Sequence, residues 1–192
     1  RFYMLTRRCT QRMFLLRPDA VSRAVFTYCM AHVAAHTGVV VMLPVVMSNH
    51  YHAVVYDPEG RIAEFTERFH GLVARAMNAA RGRWENFWAS EPPCMVRLDD
   101  REAVMRHLVY AAINPIKNHL VTRVHQWPGV HGLAELLRSR DMSRTGEMPR
   151  DSDVPRVGGV PRVGDVPRVG EVPRTGAIQV ARPQRFFDPA GQ

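Results

Sequence analysis

His50 and His52 flank a single residue in the run Asn49-His50-Tyr51-His52-Ala53-Val54-Val55. On a β-strand, alternate side chains leave the same face. The two imidazoles therefore project together, with Cα atoms ~6.5–7 Å apart, a span across which both can reach one cation. Tyr51 points the other way, into a core or against a helix. Two histidines on a merely exposed sheet face would have the same spacing. A second polar set lies further along. His107, Tyr110, Asn114 and Asn118 recur at intervals of three and four residues, so they share one side of a helix. That side is either solvated or turned toward the histidines. In the second case Asn114 offers an amide oxygen as a third, harder ligand, and Tyr110 lies beside the ion. A phenol is a poor nucleophile at neutral pH unless a nearby dication or base activates it.

A third group is basic. Arg61, Arg68 and Arg75 recur every seven residues along one helix, and Arg81 and Arg83 continue past its end, followed at once by Trp84, Phe87 and Trp88. Cations beside aromatic rings suit single-stranded nucleic acid, which needs phosphate contact and base stacking. A solvated helix face with core aromatics is the alternative. The formal charge is +8. Residues 1–140 hold 18 Lys+Arg against 11 Asp+Glu, and residues 141–192 hold 8 against 7, so the excess sits outside the tail. Lys117 is the single lysine; the other cations are arginines, whose planar forks match phosphate oxygens. A basic domain of this kind attracts polyanions, nucleic acid first.

The elements that must position these groups follow from periodicity and punctuation. Phe2 to Arg8 reads as a strand. Asp19 caps a helix with Val21, Val25, Tyr28 and His32 on its apolar side, stopped by Gly38. Val39–Met47 and Asn49–Tyr56 read as two strands, and Asp57-Pro58-Glu59-Gly60 as a turn. A second helix over 61–80 carries Ile62, Phe65, Phe69, Leu72 and Ala76, and Gly82 ends it. A strand follows near Met95–Leu98. Asp99 then starts a third helix, with Glu102 completing a capping box and Val104, Leu108 and Ala112 pointing inward. Pro115 ends or kinks it. The order is βαββαβ, the ferredoxin-like split pattern of an α+β fold: one antiparallel sheet with helices on one face, followed by a C-terminal helix carrying Tyr110. The expected domain covers 1–138. From residue 141 a six-residue period, as in Asp153-Val154-Pro155-Arg156-Val157-Gly158, marks 139–192 as a low-complexity tail expected to be disordered, since recurring proline breaks strand ladders. Arg185-Phe186-Phe187 stands out within it as a small docking motif or as nothing. No apolar run nears the ~18 residues of a membrane helix. Cys9, Cys29 and Cys94 show no pairing pattern and suit a reducing cytoplasm. The sequence opens at Arg1 on a strand-like run, and an upstream start is expected.

Three runs carry a resemblance. Phe2-Tyr3-Met4-Leu5-Thr6-Arg7-Arg8, Met47-Ser48-Asn49-His50-Tyr51-His52, and Tyr110-Ala111-Ala112-Ile113-Asn114-Pro115-Ile116-Lys117-Asn118-His119-Leu120-Val121 resemble, in order and spacing, the REP-associated tyrosine transposases. These belong to the wider single-tyrosine HUH transposases of small bacterial insertion sequences. The similarity spans roughly residues 1–135. It implies that Tyr110 is the nucleophile and that His50, His52 and Asn114 hold Mg²⁺ or Mn²⁺. Mixed His/Asn ligation suits Mn²⁺ somewhat better. It further implies single-stranded DNA folded as a hairpin, in repetitive palindromic elements, as substrate; cleavage through a 5′-phosphotyrosine and rejoining; a cytoplasmic, nucleoid-associated bacterial protein with no membrane contact; and a monomer or a helix-exchanging homodimer. Arg7, Arg8 and Lys117, inside these runs, join Arg61, Arg68, Arg75, Arg81, Arg83, Trp84 and Trp88 as DNA-binding candidates. Ser48 departs from the proline many relatives carry there, and the hexad tail has no counterpart. Two other readings compete. One is a non-catalytic hairpin DNA- or RNA-binding module derived from such a transposase. The other is a metal hydrolase that activates water, although no carboxylate comes closer to either histidine than Asp57, five residues after His52.

Overall fold

The computed structural model describes residues 1–133. The hexad repeats, the boundary at 138 and the Arg185-Phe186-Phe187 run lie outside the described residues. The elements run β1 Phe2–Arg8, α1 Ala20–Thr37, β2 Val40–Val46, β3 His50–Tyr56, α2 Ile62–Ala80, β4 Cys94–Leu98, α3 Arg101–Ala112 and a short α4 Asn114–Lys117. The strands form one antiparallel sheet in the order β2-β3-β1-β4. This is the α+β, ferredoxin-like arrangement expected from the βαββαβ order.

Local chemistry sets the element ends. Asp19 accepts a hydrogen bond from Ser22 N at 2.7 Å and starts α1. Gly38 closes it at φ 70°, a left-handed conformation that glycine adopts without a Cβ clash. The cap of α3 is Asp100, whose carboxylate accepts from Ala103 N; Asp99 pairs with Arg97 instead. The expected cap was therefore one residue early, because two adjacent aspartates offer the same chemistry and only the backbone decides between them. Pro44 sits inside β2, which tolerates it as an edge strand next to a bulge between Val41 and Leu43. Gly132 N donates to Pro44 O at 2.8 Å, and His131 forms a bridge with Val45, so the returning chain covers part of that edge.

Both faces of the sheet are covered. Tyr51, Ala53 and Val55 of β3 face α1 and α2 in one buried cluster with Leu5, Phe26, Phe65 and Phe69. Val54, Met4 and Met42 face α3 in a second, with Val104, Leu108 and Ala111. The α1–α2 pair thus occupies one face, and the tyrosine-bearing helix the other. Burying each large apolar side chain contributes ~1.5–3 kcal/mol. The buried side of α1 is Val25, Phe26, Cys29, Met30 and Val33. It is rotated from the expected Val21/Tyr28/His32 line, because α1 carries apolar residues nearly all round. On α3 the inward residue of the last turn is Ala111, and Ala112 is only half-buried.

Tyr51 is fully buried, and its hydroxyl shares a 2.6 Å hydrogen bond with His70 Nε2 of α2. Burial, reinforced by the nearby Arg7 charge, pushes His70 down to about 3. Tyr51→Phe strands a buried ring nitrogen, so urea unfolding is expected to show a loss of ~1–3 kcal/mol. The unfolded chain takes up the His70 proton near its ordinary 6.5, well before the folded one. Stability linked to His70 is therefore complete above that value and is lost as pH falls toward 3. A urea midpoint that does not move between pH 7 and the acid side of this window would contradict the assignment.

Candidate functional site

The strand period places His50 and His52 together on the α3 face of β3. Their ring centroids are 4.9 Å apart. Each ring is oriented through Nδ1: His50 Nδ1 lies 2.7 Å from Asn49 Oδ1, and His52 Nδ1 lies 2.8 Å from Thr6 Oγ1. Thr6 stands directly across from His52 in the β1–β3 register. Among the described residues neither Nε2 has a hydrogen-bond partner, so each ring keeps one nitrogen for a ligand. Burial, then the neighbouring His50 and Arg8, push His52 down to about 4, and burial with Arg8 lowers His50 as well. Both imidazoles are thus neutral near pH 7, the form that binds a cation.

α3 brings the phenol to this pair. With Val104, Leu108 and Ala111 turned to the sheet, His107 and Tyr110 fall along one flank of the helix. The Tyr110 ring sits edge-on to His52 at 5.5 Å between centroids and stays 40% exposed. α3 ends at Ala112 with Ile113 as its cap, and α4 begins at Asn114 with Pro115 in its first turn, as the Asn-Pro pair predicts. Asn114 is 3% exposed; its Oδ1 accepts from Asn118 Nδ2 at 3.0 Å and retains a second lone pair. Lys117 Nζ stands 5.0 Å from the Tyr110 ring centroid. Among the described residues, no three His, Cys, Asp or Glu side chains cluster as a metal site, so a cation here needs an oxygen such as that of Asn114, or a ligand's own atoms.

His52 and Tyr110 line a cleft of about 860 Å³. Arg7, Arg8, Arg12 and Arg106 also border it, against Glu91 as the one acid. Arg12 and Gln11 arrive there on a turn with φ of 56° and 48°, a left-handed conformation that non-glycine residues hold only under local constraint. Arg12, Arg106 and Thr6 were not singled out from the sequence. Arg106 could have been found four residues before Tyr110; Thr6 needs the strand register.

The remaining DNA-binding candidates lie elsewhere. Arg61 and Arg68 both pair with Glu64 on α2, in the layer behind the sheet from the histidines, and Arg75 belongs to the same helix. Arg81 is a structural clamp, donating to Leu15 O, Asp19 and Ser22 Oγ. Trp88 is 7% exposed, donates Nε1 to His70 O and stacks beneath Arg7. Arg83 pairs with Glu85, and Trp84 is 90% exposed; neither lines the cleft. The structure thus gathers His50, His52, Tyr110, Arg8 and Lys117, places the Arg7 guanidinium over Trp88 on the Tyr51 side of the sheet, and separates the α2 stripe from them.

The chain superposes with a TM-score of 0.58 on a REP-associated tyrosine transposase bound to a REP hairpin, at 20% identity, over 91% of this chain and 92% of that one. A Deinococcus radiodurans r1 chain assigned as a transposase by inference matches at 19% identity and a TM-score of 0.44, over 62% of this chain and 89% of the other. No protein-family model and no curated protein matches the sequence. Among the described residues no helix is long and apolar enough to cross a membrane.

Thr6→Val removes the group that orients His52. Calorimetry is expected to show Mn²⁺ binding weakened by about 10–100-fold with the far-UV spectrum unchanged. An unaltered affinity would show that the Thr6 hydroxyl has no orienting role.

Proposed function

We propose that this chain is a metal-dependent single-stranded DNA transesterase: it cuts hairpin-bearing DNA by attack of Tyr110, keeps the strand as a 5′-phosphotyrosine, and rejoins it. The observation that carries this reading is the Tyr110 ring 5.5 Å from His52, within one chain, at the wall of an arginine-lined cleft. A binding module has no need of a half-exposed phenol beside two neutral, ligand-ready imidazoles. The fold shared with a transposase that holds a REP hairpin supports the same reading and suggests hairpin DNA as the substrate here.

The donor set fits a divalent cation, Mg²⁺ or Mn²⁺: His50 and His52 each present a free Nε2, and Asn114 an amide oxygen one turn beyond Tyr110. When bound, such an ion supplies Lewis-acid polarisation of a phosphate oxygen. The chain's own residues do the rest. Arg8 and Arg12 neutralise and orient the backbone phosphates along the cleft. Tyr110 Oη attacks phosphorus, the Oη–P bond forms, the P–O3′ bond breaks, and a 3′-hydroxyl leaves. The phosphotyrosine remains a phosphodiester, so a 3′-hydroxyl can reverse the step without ATP. Asp57 is not placed to serve a hydrolase as base: its side chain is bound to the amides of Gly60, Arg61 and Ile62, and Glu91 is the one carboxylate that borders the cleft.

The test is incubation with hairpin oligonucleotides carrying single-stranded flanks, with Mn²⁺, followed by denaturing electrophoresis. A covalent protein–DNA adduct is expected from the unaltered chain and none from Tyr110→Phe, while both bind the DNA. Adduct formed by Tyr110→Phe would exclude Tyr110 as the nucleophile. Binding without any cleavage by the unaltered chain would establish the module instead, and free 5′-phosphate without adduct would establish hydrolysis.

A further inference from the structure

We propose that the Lys117 ammonium is a positioning cation for Tyr110, facing the charge that forms on the phenol oxygen, and not one more contact to the DNA backbone. The proposal rests on the reading of Tyr110 as nucleophile. Its basis is the 5.0 Å between Lys117 Nζ and the Tyr110 ring centroid, set by a specific piece of chain. Lys117 lies seven residues after Tyr110, two helical turns on and nearly the same azimuth. Pro115 divides that span into α3 and α4, yet Lys117 N still donates to Ile113 O at 2.8 Å, so the residue stays in helical register and its side chain returns over the ring.

The surroundings leave this cation, like Arg8 and Arg12, without a carboxylate partner among the described residues. Arg61, Arg68, Arg81, Arg83, Arg97 and Arg106 each pair with a carboxylate. Among the described residues no carboxylate pairs with Lys117, so its charge is uncompensated and available. It is also the one lysine in a chain whose other cations are arginines. A cation held in place before the reaction stabilises developing charge without reorganisation.

The step balances without another reactant. As Tyr110 Oη bonds to phosphorus, its proton passes to water; the P–O3′ bond breaks, and the departing oxygen takes a proton from water. In rejoining, the 3′-hydroxyl displaces Tyr110 Oη and the transfers reverse. Lys117 lies over the same ring in both directions.

The experiment measures single-turnover adduct formation at saturating hairpin oligonucleotide with Mn²⁺, alongside equilibrium binding of the same oligonucleotide. Lys117→Met is expected to lower the saturated rate about 10–100-fold while changing Kd by less than about threefold, and Lys117→Arg to recover most of the rate by restoring the charge. Melting curves of all three chains confirm folding. Weakened binding with a full rate at saturation would make Lys117 a backbone contact and overturn the proposal. So would an undiminished Lys117→Met rate, or a loss that Lys117→Arg does not relieve. An unaltered chain that forms no adduct removes the tyrosine reading itself, and this proposal with it; the other outcomes remove this proposal alone.

Discussion

The two-residue period of β3 is the constraint on which the rest depends. It sends Tyr51 into the layer under α1 and α2 and turns His50 and His52 to the layer under α3. A one-residue slip would exchange them, burying two imidazoles among phenylalanines and exposing a tyrosine. Several features resist that slip. β3 is paired on both sides, with β1 and with β2. Tyr51 is held from behind by His70 and packed edge-on against Phe26 and Phe69. Thr6, on the neighbouring strand, meets His52 from the front. The geometry of the imidazole pair is thus a property of the sheet, and α3 needs only to lie across it at the height that Val104, Leu108 and Ala111 dictate.

Much of this was legible because the informative signals are local. The histidine pair and the opposed Tyr51 follow from strand alternation, Gly38 from the need for a left-handed cap, and the α3–α4 break from Pro115. What was not legible depended on relations between distant segments. The seven-residue spacing of Arg61, Arg68 and Arg75 correctly marks one side of a helix, but nothing in it says which side of the sheet that helix covers. Arg81 reads as a surface cation by composition, yet its three partners come from the loop before α1 and that helix's first turn. Trp88 reads equally well as a stacking platform and as core, and burial decides for core. Arg12 reaches the cleft through a left-handed turn that its neighbours do not announce.

The arginines accordingly divide into two populations. Along α2, Arg61 and Arg68 are compensated by Glu64, while Arg8 and Arg12 border the open volume beside Tyr110. Net charge alone would have treated them as one field. It is the pairing of each cation that separates scaffolding from attraction of a polyanion.

The phenol, both imidazoles and the Asn-Pro turn all belong to a single polypeptide, and the ring contact between Tyr110 and His52 is intramolecular. Because Val104, Leu108 and Ala111 of the same helix are buried on the sheet, the Tyr110 ring cannot leave His52 without lifting that apolar row into water.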